Sequence, residues 1–378
     1  MRTAIKFGVA VILAAASTLT LSTIAAHGEQ SIGNSVGGTA KEAPSKGMNE
    51  VRHIDAKGQV NAVAWDLKDE RVAVLSDFGS RVEILSSKNW SSKHSFSKDT
   101  NSYSGNSFAF LQGNQLLATT PQVDAADPAP LSVWDAQSGD FDGWFNDKEA
   151  AKHVDDRYIA SALLFATTQD GTMVAAPNGP TSRNIFIYDG VSRKLIRTVS
   201  LGQSVRDTGY PTSVAFSPNK KQLAVGTNIG IVFLFDLDSG NLRRSFTAYP
   251  QGEFRCSAIV YSPDGKFIAT GKDKTINISH SNLVSADVWR EDSAAHVSSL
   301  EGITVPFGQN QETTTVSSIA WSGEMLAVAD RISVRVWANP TTAPHLVLSR
   351  QMHFANSVSF SSGGILAVGG ADGVFIFK

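Results

Sequence analysis

The chain is poor in the residues that carry covalent and metal chemistry. Its 378 residues contain one cysteine, Cys256, so no disulfide forms within the chain. The eight histidines are scattered, and none forms an HExxH motif or another metal-ligand spacing on one strand. No glycine-rich phosphate loop precedes a helical pattern. These absences argue against a disulfide scaffold and against the common metal and nucleotide enzymes. Cys256 lies beside a predicted strand, where a buried small hydrophobe is expected and a reactive thiol is the alternative.

Positive charge is neither abundant nor clustered. The chain has 33 basic and 35 acidic side chains, a formal net charge of −2. Because nucleic-acid binding needs a concentrated basic surface, no nucleic-acid partner is expected.

Two short motifs resemble functional loops but lack the neighbouring elements or residues that such loops need. Residues 33–37 fit the nucleophile pattern GxSxG, but no strand precedes them and no helix pattern follows. The segment from Asp236 to Asn241 resembles the start of a calcium loop. Its twelfth position is Thr247, where such a loop needs a bidentate glutamate. We therefore predict no catalytic residue, no metal site and no cofactor from motifs.

The N-terminus has the pattern of an export signal. Arg2 and Lys6 precede an uncharged run that closes on the small residues Ala25 and Ala26. Residues 1–26 are predicted to be a signal peptide, with an uncleaved anchor as the alternative. The mature protein is then periplasmic or secreted, without stable membrane insertion. Residues 27–49 hold almost no large apolar side chain and are expected to form a flexible leader.

A repeated sequence pattern covers residues 50–378. An apolar stretch ends in an aromatic, a polar turn follows, and two further apolar stretches come after it. The aromatic residues recur every 39 to 60 positions: Trp65, Phe110, Phe165, Phe216, Tyr261, Trp321 and Phe360. Each is followed by an alanine in the second stretch: Ala73, Ala118, Ala175, Ala224, Ala269, Ala327 and Ala367. Periods of this length indicate a repeat architecture.

The third stretch of each unit predicts how the units pack. Stretches such as IVFLFD (231–236) are apolar at nearly every position, which requires burial on both sheet faces. Radial packing of seven four-stranded blades provides such burial. The seventh unit ends at Lys378 without a fourth strand, and VRHID (51–55) can supply one. We therefore predict an all-β fold, a seven-bladed β-propeller closed by an N-terminal strand.

These residues resemble the WD-repeat (WD40) family. The segments VAFSPNKKQLAVGT (214–227) and IVYSPDGKFIATGK (259–272) have the pattern of its first strand and turn, and Trp134-Asp135 supplies the eponymous dipeptide. Residues 225–242 are also similar to the YVTN-type propellers of bacteria. The resemblance implies a rigid platform that binds proteins or peptides.

The chain lacks part of the family's pattern, namely residues of its buried hydrogen-bond network. No Gly-His pair precedes a first strand, although an acidic loop residue is kept at Asp77, Asp330 and Asp372, with Asn228 in the fourth unit. The buried His–Asp hydrogen-bond network of regular members is therefore expected to be absent.

Long connecting segments fall on one predicted face of the propeller. This long-loop face carries the turns between second and third strands and the links between blades. Its long segments are 97–106, 121–130, 148–160, 178–184, 202–211, 273–285 and 301–315. The candidate partner-binding residues in or beside them are Tyr103, Tyr158, Arg206, Asp207, Tyr210, Phe254, Arg255, Phe307, His353 and Phe354. Alternatively, each aromatic packs its own loop down.

The function expected from these patterns is a non-enzymatic scaffold, monomeric alone, that binds protein or peptide partners on the long-loop face. One alternative is a lactonase-like or cofactor-dependent enzyme with its site in the central channel. Another is an accessory subunit that acts only within a complex.

Overall fold

A computed structural model of the protein describes residues 47–77, 80–97, 107–119, 131–145, 165–177, 182–202, 205–251, 254–274, 284–301, 304–307, 310–313, 315–330 and 332–378. The predicted signal peptide and residues 27–46 of the predicted leader lie outside this part of the chain. The last three leader residues lie against the propeller. The Met48 amide donates to the Val347 carbonyl, and Asn49 and Lys378 exchange two backbone hydrogen bonds.

Thirty strands account for most of the described residues. The first half of the chain contains β1 (Glu50–Ile54), β2 (Val60–Trp65), β3 (Arg71–Ser76), β4 (Arg81–Ser86), β5 (Ser92–Ser97), β6 (Phe108–Phe110), β7 (Gln115–Thr119), β8 (Leu131–Asp135), β9 (Phe141–Trp144), β10 (Ala166–Thr167), β11 (Met173–Pro177), β12 (Asn184–Asp189) and β13 (Leu195–Ser200). The second half contains β14 (Pro211–Phe216), β15 (Gln222–Thr227), β16 (Ile231–Asp236), β17 (Leu242–Thr247), β18 (Phe254–Tyr261), β19 (Phe267–Lys274), β20 (Val284–Arg290), β21 (His296–Glu301), β22 (Thr304–Phe307), β23 (Asn310–Thr313), β24 (Val316–Ser322), β25 (Met325–Asp330), β26 (Ser333–Ala338), β27 (His345–Gln351), β28 (Ser357–Phe360), β29 (Leu366–Gly370) and β30 (Gly373–Phe377). The described residues also contain a 3₁₀ turn (Gln112–Asn114) and a one-turn helix α1 (Val205–Thr208).

The strands form seven four-stranded antiparallel sheets, the blades of a β-propeller. Blades 1 to 6 are β2–β5, β6–β9, β10–β13, β14–β17, β18–β21 and β24–β27, each in sequence order. Blade 7 consists of β28, β29, β30 and β1. A separate hairpin, β22–β23, lies in the link between blades 5 and 6. The predicted all-β propeller is confirmed.

The N-terminal strand closes the ring as predicted. β1 pairs antiparallel with β30, with Ile54 opposite Val374 and His53 opposite Phe375. The His53 ring stacks on Phe375 at a centroid distance of 4.2 Å. The two ends of the chain therefore share one sheet, and blade 7 is complete only when both are present.

Seven apolar clusters fill the seven spaces between neighbouring blades. The cluster that joins blades 7 and 1 contains Val60, Val63, Val72, Val374 and Ile376. Third strands are buried almost throughout, whereas the fourth strand β17 alternates between exposed and half-buried positions. The continuous apolar pattern of the third strands thus reflects a blade covered on both faces.

In two blades the register differs from the predicted alignment. In blade 3 the first strand is Ala166–Thr167, and Ala166 pairs with Ala175 as Ala215 pairs with Ala224 in blade 4. Thr167, not Phe165, therefore takes the place of the aromatic. In blade 2, Ala109 pairs with Leu117, so Leu117 takes the place assigned to Ala118. The turn of blade 2 is shorter by one residue, and this shifts the count.

No helix among the described residues is long and apolar enough to cross a membrane.

Candidate functional site

The long-loop face is built from two kinds of connection. Turns between second and third strands open onto it, as do the links from each fourth strand to the next blade, because all blades share one strand order. Every long segment identified in the sequence joins strands at this face. The opposite face carries the short turns between first and second strands and between third and fourth strands.

A belt of polar side chains links the first strands beneath this face. Four side chains each donate to a backbone carbonyl of the next blade: Thr212 to Cys256 (2.6 Å), Ser257 to Val316 (2.8 Å), Ser317 to Ala355 (2.5 Å) and Asn356 to Val60 (2.8 Å). The first three donors sit at an irregularity where the first strand shifts register against the second. There one residue is left over from pairing, so its side chain can bridge to the neighbour.

Three of the predicted partner-binding residues occupy equivalent positions above this belt. Tyr210, Arg255 and Phe354 each stand two residues before a belt donor. Tyr210 is half-buried, while Arg255 and Phe354 are exposed. Because the first strands are the innermost strands and line the central cavity, the backbone at these three positions lies near one end of the channel in blades 4, 5 and 7.

The blade 4 segment is held by one asparagine. The side-chain oxygen of Asn228 accepts from the Tyr210 backbone N–H at 2.8 Å. The backbone N–H of Asn228 donates to the Tyr210 carbonyl at 3.0 Å. Asp207 is exposed on α1. Arg206 lies on the same helix, and its side chain lies outside the described atoms. The link that carries these residues is thus tied to the turn between β15 and β16.

Blade 5 places an aromatic and two cations side by side. Phe254 is half-buried, and the Lys272 ammonium lies 4.9 Å from its ring centre. Arg255 forms an ion pair with the buried Asp273. The Thr315 hydroxyl donates to the same carboxylate at 2.5 Å. Asp273 is therefore satisfied within the protein.

Blade 7 presents His353 and Phe354 on the link after β27. The Phe354 ring is 47% exposed, and its backbone has a φ of 51°. The His353 carbonyl accepts from the Ala371 amide at 2.8 Å, which holds the loop against the turn between β29 and β30. A left-handed conformation is unusual for a phenylalanine, so the local fold presents this ring outward at some conformational cost.

The other three predicted residues lie wholly or in part outside the described atoms. Tyr103 and Tyr158 lie outside the described residues. Phe307 ends β22, and its side chain also lies outside the described atoms. Their assignment to the long-loop face stays a prediction.

A tyrosine on the link from blade 4 to blade 5 takes part in a group of buried hydrogen bonds. The Tyr249 hydroxyl contacts the Thr270 carbonyl and hydroxyl, each at 2.8 Å, and the Trp289 indole N–H donates to the Thr270 hydroxyl at 2.9 Å. Burial raises the pKa of Tyr249 well above its ordinary value.

A cavity of about 400 Å³ lies along the first strands of five blades. Hydroxyl and amide side chains line it together with aromatic rings; they include Ser318, Asn356, Ser357, Trp65 and Phe110. Among the described residues, no group of three His, Cys, Asp or Glu side chains could hold a metal ion. The cavity walls are therefore uncharged in the described part of the chain.

Lys272 and Asp273 are the residues of this face that the sequence reasoning missed. Asp273 stands four residues after Ala269, the same offset that separates Asp77 from Ala73. The sequence could have revealed Asp273, because the blade 5 loop has the acidic residue that was noted after the second strand in three other blades. Lys272 belongs to no recognisable sequence motif, and only its position beside the Phe254 ring in the structure marks it as a residue of this face.

Comparisons with known proteins support the repeat assignment. Residues 240–278 match the WD40 family (WD domain, G-beta repeat). That segment covers the last strand of blade 4 and the first two strands of blade 5. The chain is 27% identical over 175 residues to "WD repeat-containing protein 82" from Drosophila melanogaster, covering 46% of this chain and 47% of that protein. It is 28% identical over 93 residues to "Meiotic fizzy-related protein 1" from Schizosaccharomyces pombe, covering 25% of this chain and 20% of that protein.

Both alignments thus span less than half of the relative. They show similarity to WD repeats, and WD-repeat propellers generally serve as scaffolds for protein interactions.

Proposed function

We propose that this protein is an exported, non-enzymatic scaffold that binds protein or peptide partners around the channel mouth of its long-loop face. The observation that carries the proposal is the equivalent placement of Tyr210, Arg255 and Phe354 in three blades. Tyrosine and arginine are frequent anchors of protein interfaces, and a rigid ring of blades holds them without a folding cost on binding.

The test is a copurification of the full-length protein from its native envelope, with partners identified by mass spectrometry. The site variant combines Tyr210→Ala with Phe354→Asn, because asparagine tolerates the left-handed backbone at that position. The control variant combines Leu67→Ala with Val191→Ala, which removes two exposed apolar side chains from the opposite face. Arg255 is left unchanged, because its removal would strand the buried Asp273.

A partner that wild type and control retain, and that the folded site variant loses, supports the proposal. A partner held equally by all three proteins contradicts the assigned face. Export is tested separately by sequencing the N-terminus of the protein recovered from the envelope fraction. A mature chain that begins near His27 supports signal cleavage, and one that begins at Met1 contradicts it.

A small-molecule function in the central channel is the second candidate, because the cavity is large enough for a ligand and is lined by hydroxyl and amide groups. Metal analysis of the purified protein tests its metalloenzyme form. A stoichiometric metal would favour the channel enzyme over the scaffold.

A further inference from the structure

Blade 5 rises above its neighbour on the long-loop face. Its strands β18 and β19 have eight residues each, whereas β14 and β15 of blade 4 have six. The pair Cys256–Lys272 corresponds to the last pair of blade 4, Pro211–Thr227. Two more pairs, Arg255–Asp273 and Phe254–Lys274, continue beyond it. We name residues 254–256 and 272–274 the blade 5 ridge.

One cation of this ridge lacks a counter-ion among the described residues. Arg255 is neutralised by Asp273, so that pair contributes little net charge. The Lys272 ammonium has neither an ion pair nor a hydrogen bond within the described part of the chain, and it lies 4.9 Å from the centre of the Phe254 ring. Burial lowers the pKa of Lys272, and the charge of Asp287 opposes that effect.

Asp287 is not free to move toward this lysine. Its carboxylate accepts from the Ser299 hydroxyl at 2.6 Å and lies 3.1 Å from the His296 ring nitrogen. Those contacts fix it on the third strand of the blade, below the ridge. A half-buried ammonium without an ion-pair partner among the described residues is a favourable place for an incoming negative group.

We propose that Lys272 and Phe254 form an anchor for a carboxylate side chain in an acidic segment of a protein partner. The inference rests on the scaffold function proposed above and specifies the chemistry of its partner. A single compact ammonium matches the charge of one carboxylate. A phosphate group favours several donors, usually with arginine, and the one described arginine of the ridge is already paired. The Phe254 ring provides the apolar wall on which the partner's alkyl chain packs.

The variants separate charge from packing. Lys272→Met keeps an unbranched side chain over Phe254 and removes the charge, and Lys272→Arg keeps the charge. The matched control is Lys221→Met, an exposed lysine in a turn on the opposite face. Melting temperatures of all variants are compared with wild type.

The probe is a library of random twelve-residue peptides displayed on phage and selected against the full-length protein. Affinities of the enriched peptides are then measured by fluorescence polarisation with wild type and each variant. We expect enriched peptides to contain Asp or Glu, to bind Lys272→Met at least tenfold more weakly, and to bind Lys272→Arg and Lys221→Met within about twofold. Replacing the acidic residue of the peptide by its amide should give the same tenfold loss with the wild-type protein, whatever the stability of the variants.

Two results overturn the proposal in distinguishable ways. Peptides that bind Lys272→Met and the amide form as tightly as the originals exclude the anchor but leave the scaffold function standing. Failure to enrich any peptide that binds saturably counts against both.

Discussion

The Asn356 side-chain amide donates to the Val60 carbonyl at 2.8 Å, although 296 residues separate them in sequence. This bond joins blade 7 to blade 1 inside the channel and completes the described part of the polar belt. The same bridge recurs as a hydroxyl contact between blades 4 and 5, 5 and 6, and 6 and 7. The belt therefore adds polar bridges between the inner strands to the apolar clusters that contain its four acceptor residues.

Loss of the closing belt bond should lower stability modestly. Asn356→Ala removes the donor, and we expect the free energy of unfolding to fall by about 1 kcal/mol, the usual net value of one such hydrogen bond. Chemical denaturation monitored by tryptophan fluorescence measures it. Ser257→Ala removes an equivalent bond elsewhere in the ring and should cost a similar amount. An unchanged denaturation midpoint in both variants would show that the belt does not contribute.

Gly369 permits close contact between blades 7 and 1. A Cβ atom there would lie 2.5 Å from Val60 Cγ1, which is closer than packed atoms approach. We expect Gly369→Ala to destabilise the protein by about 1–3 kcal/mol through overpacking. Adding Val60→Ala should recover part of that loss, because the clashing methyl group is removed. A double-mutant cycle measures this coupling, and strictly additive effects would contradict the contact.

The Asp330–Arg335 pair is buried within blade 6. The exposed fractions are 0% for Asp330 and 2% for Arg335, and their charged atoms lie 2.5 Å apart. Asp330→Asn preserves shape but leaves the guanidinium without its counter-ion, so a loss of about 3–5 kcal/mol is expected. The control is Asp170→Asn, which breaks the half-exposed pair with Lys220 and should cost at most about 1 kcal/mol. Equal losses in the two variants would contradict this ranking.

The Cys256 thiol should be unreactive in the folded protein. Its side chain is fully buried, and burial raises the pKa of the thiol from 9.0 to about 12. We expect a thiol reagent to label one group per chain in denaturant and almost none in buffer at pH 8. Because the unfolded thiol ionises more readily than the folded one, this group's contribution to stability is complete below pH 9 and declines from there to pH 12. Rapid labelling of the native protein would show that the site opens.

The N-terminal strand should be essential for a stable ring. Deleting residues 51–55 removes most of β1 and exposes the β30 edge that it covers. Several kcal/mol should be lost, which corresponds to a fall in melting temperature of roughly 10 °C or more. Differential scanning calorimetry compares the deletion with wild type. A deletion protein that melts at the wild-type temperature would rule out this closure as a source of stability.

Much of the architecture could be predicted from residue order alone. The continuous apolar pattern of strands such as β16 requires two covered faces, and the aromatic-to-alanine spacing marks the hairpins. The two register errors have different causes. Turn length is set by backbone conformation, and in blade 2 a 3₁₀ turn with a left-handed Gly113 shortens the count by one residue. Residue type at Ala118 could not reveal that shift. In blade 3 the pairing has the usual spacing, and Thr167 takes the position at which the other units have an aromatic residue.

The candidate site was likewise predicted only in part from the sequence. Tyr210, Arg255 and Phe354 were predicted because they stand in or beside the long connections, but nothing in the sequence shows that they share one position in three blades. That equivalence depends on the belt donors Thr212, Ser257 and Asn356, whose partners lie in other blades.

By itself, then, the sequence determined what depends on local order: the number of repeats, the strands within each, and the chain end that could complete the last blade. Only the tertiary structure decided what depends on contacts between strands and between blades. The pairing of Asp273 with Arg255 and the placement of the Lys272 ammonium over Phe254 arise from the hairpin of blade 5, and the buried state of Cys256 arises from the packing of blade 5 against blade 4. The physical reason is that strand periodicity is encoded by neighbours in sequence, whereas burial and charge pairing depend on neighbours in space.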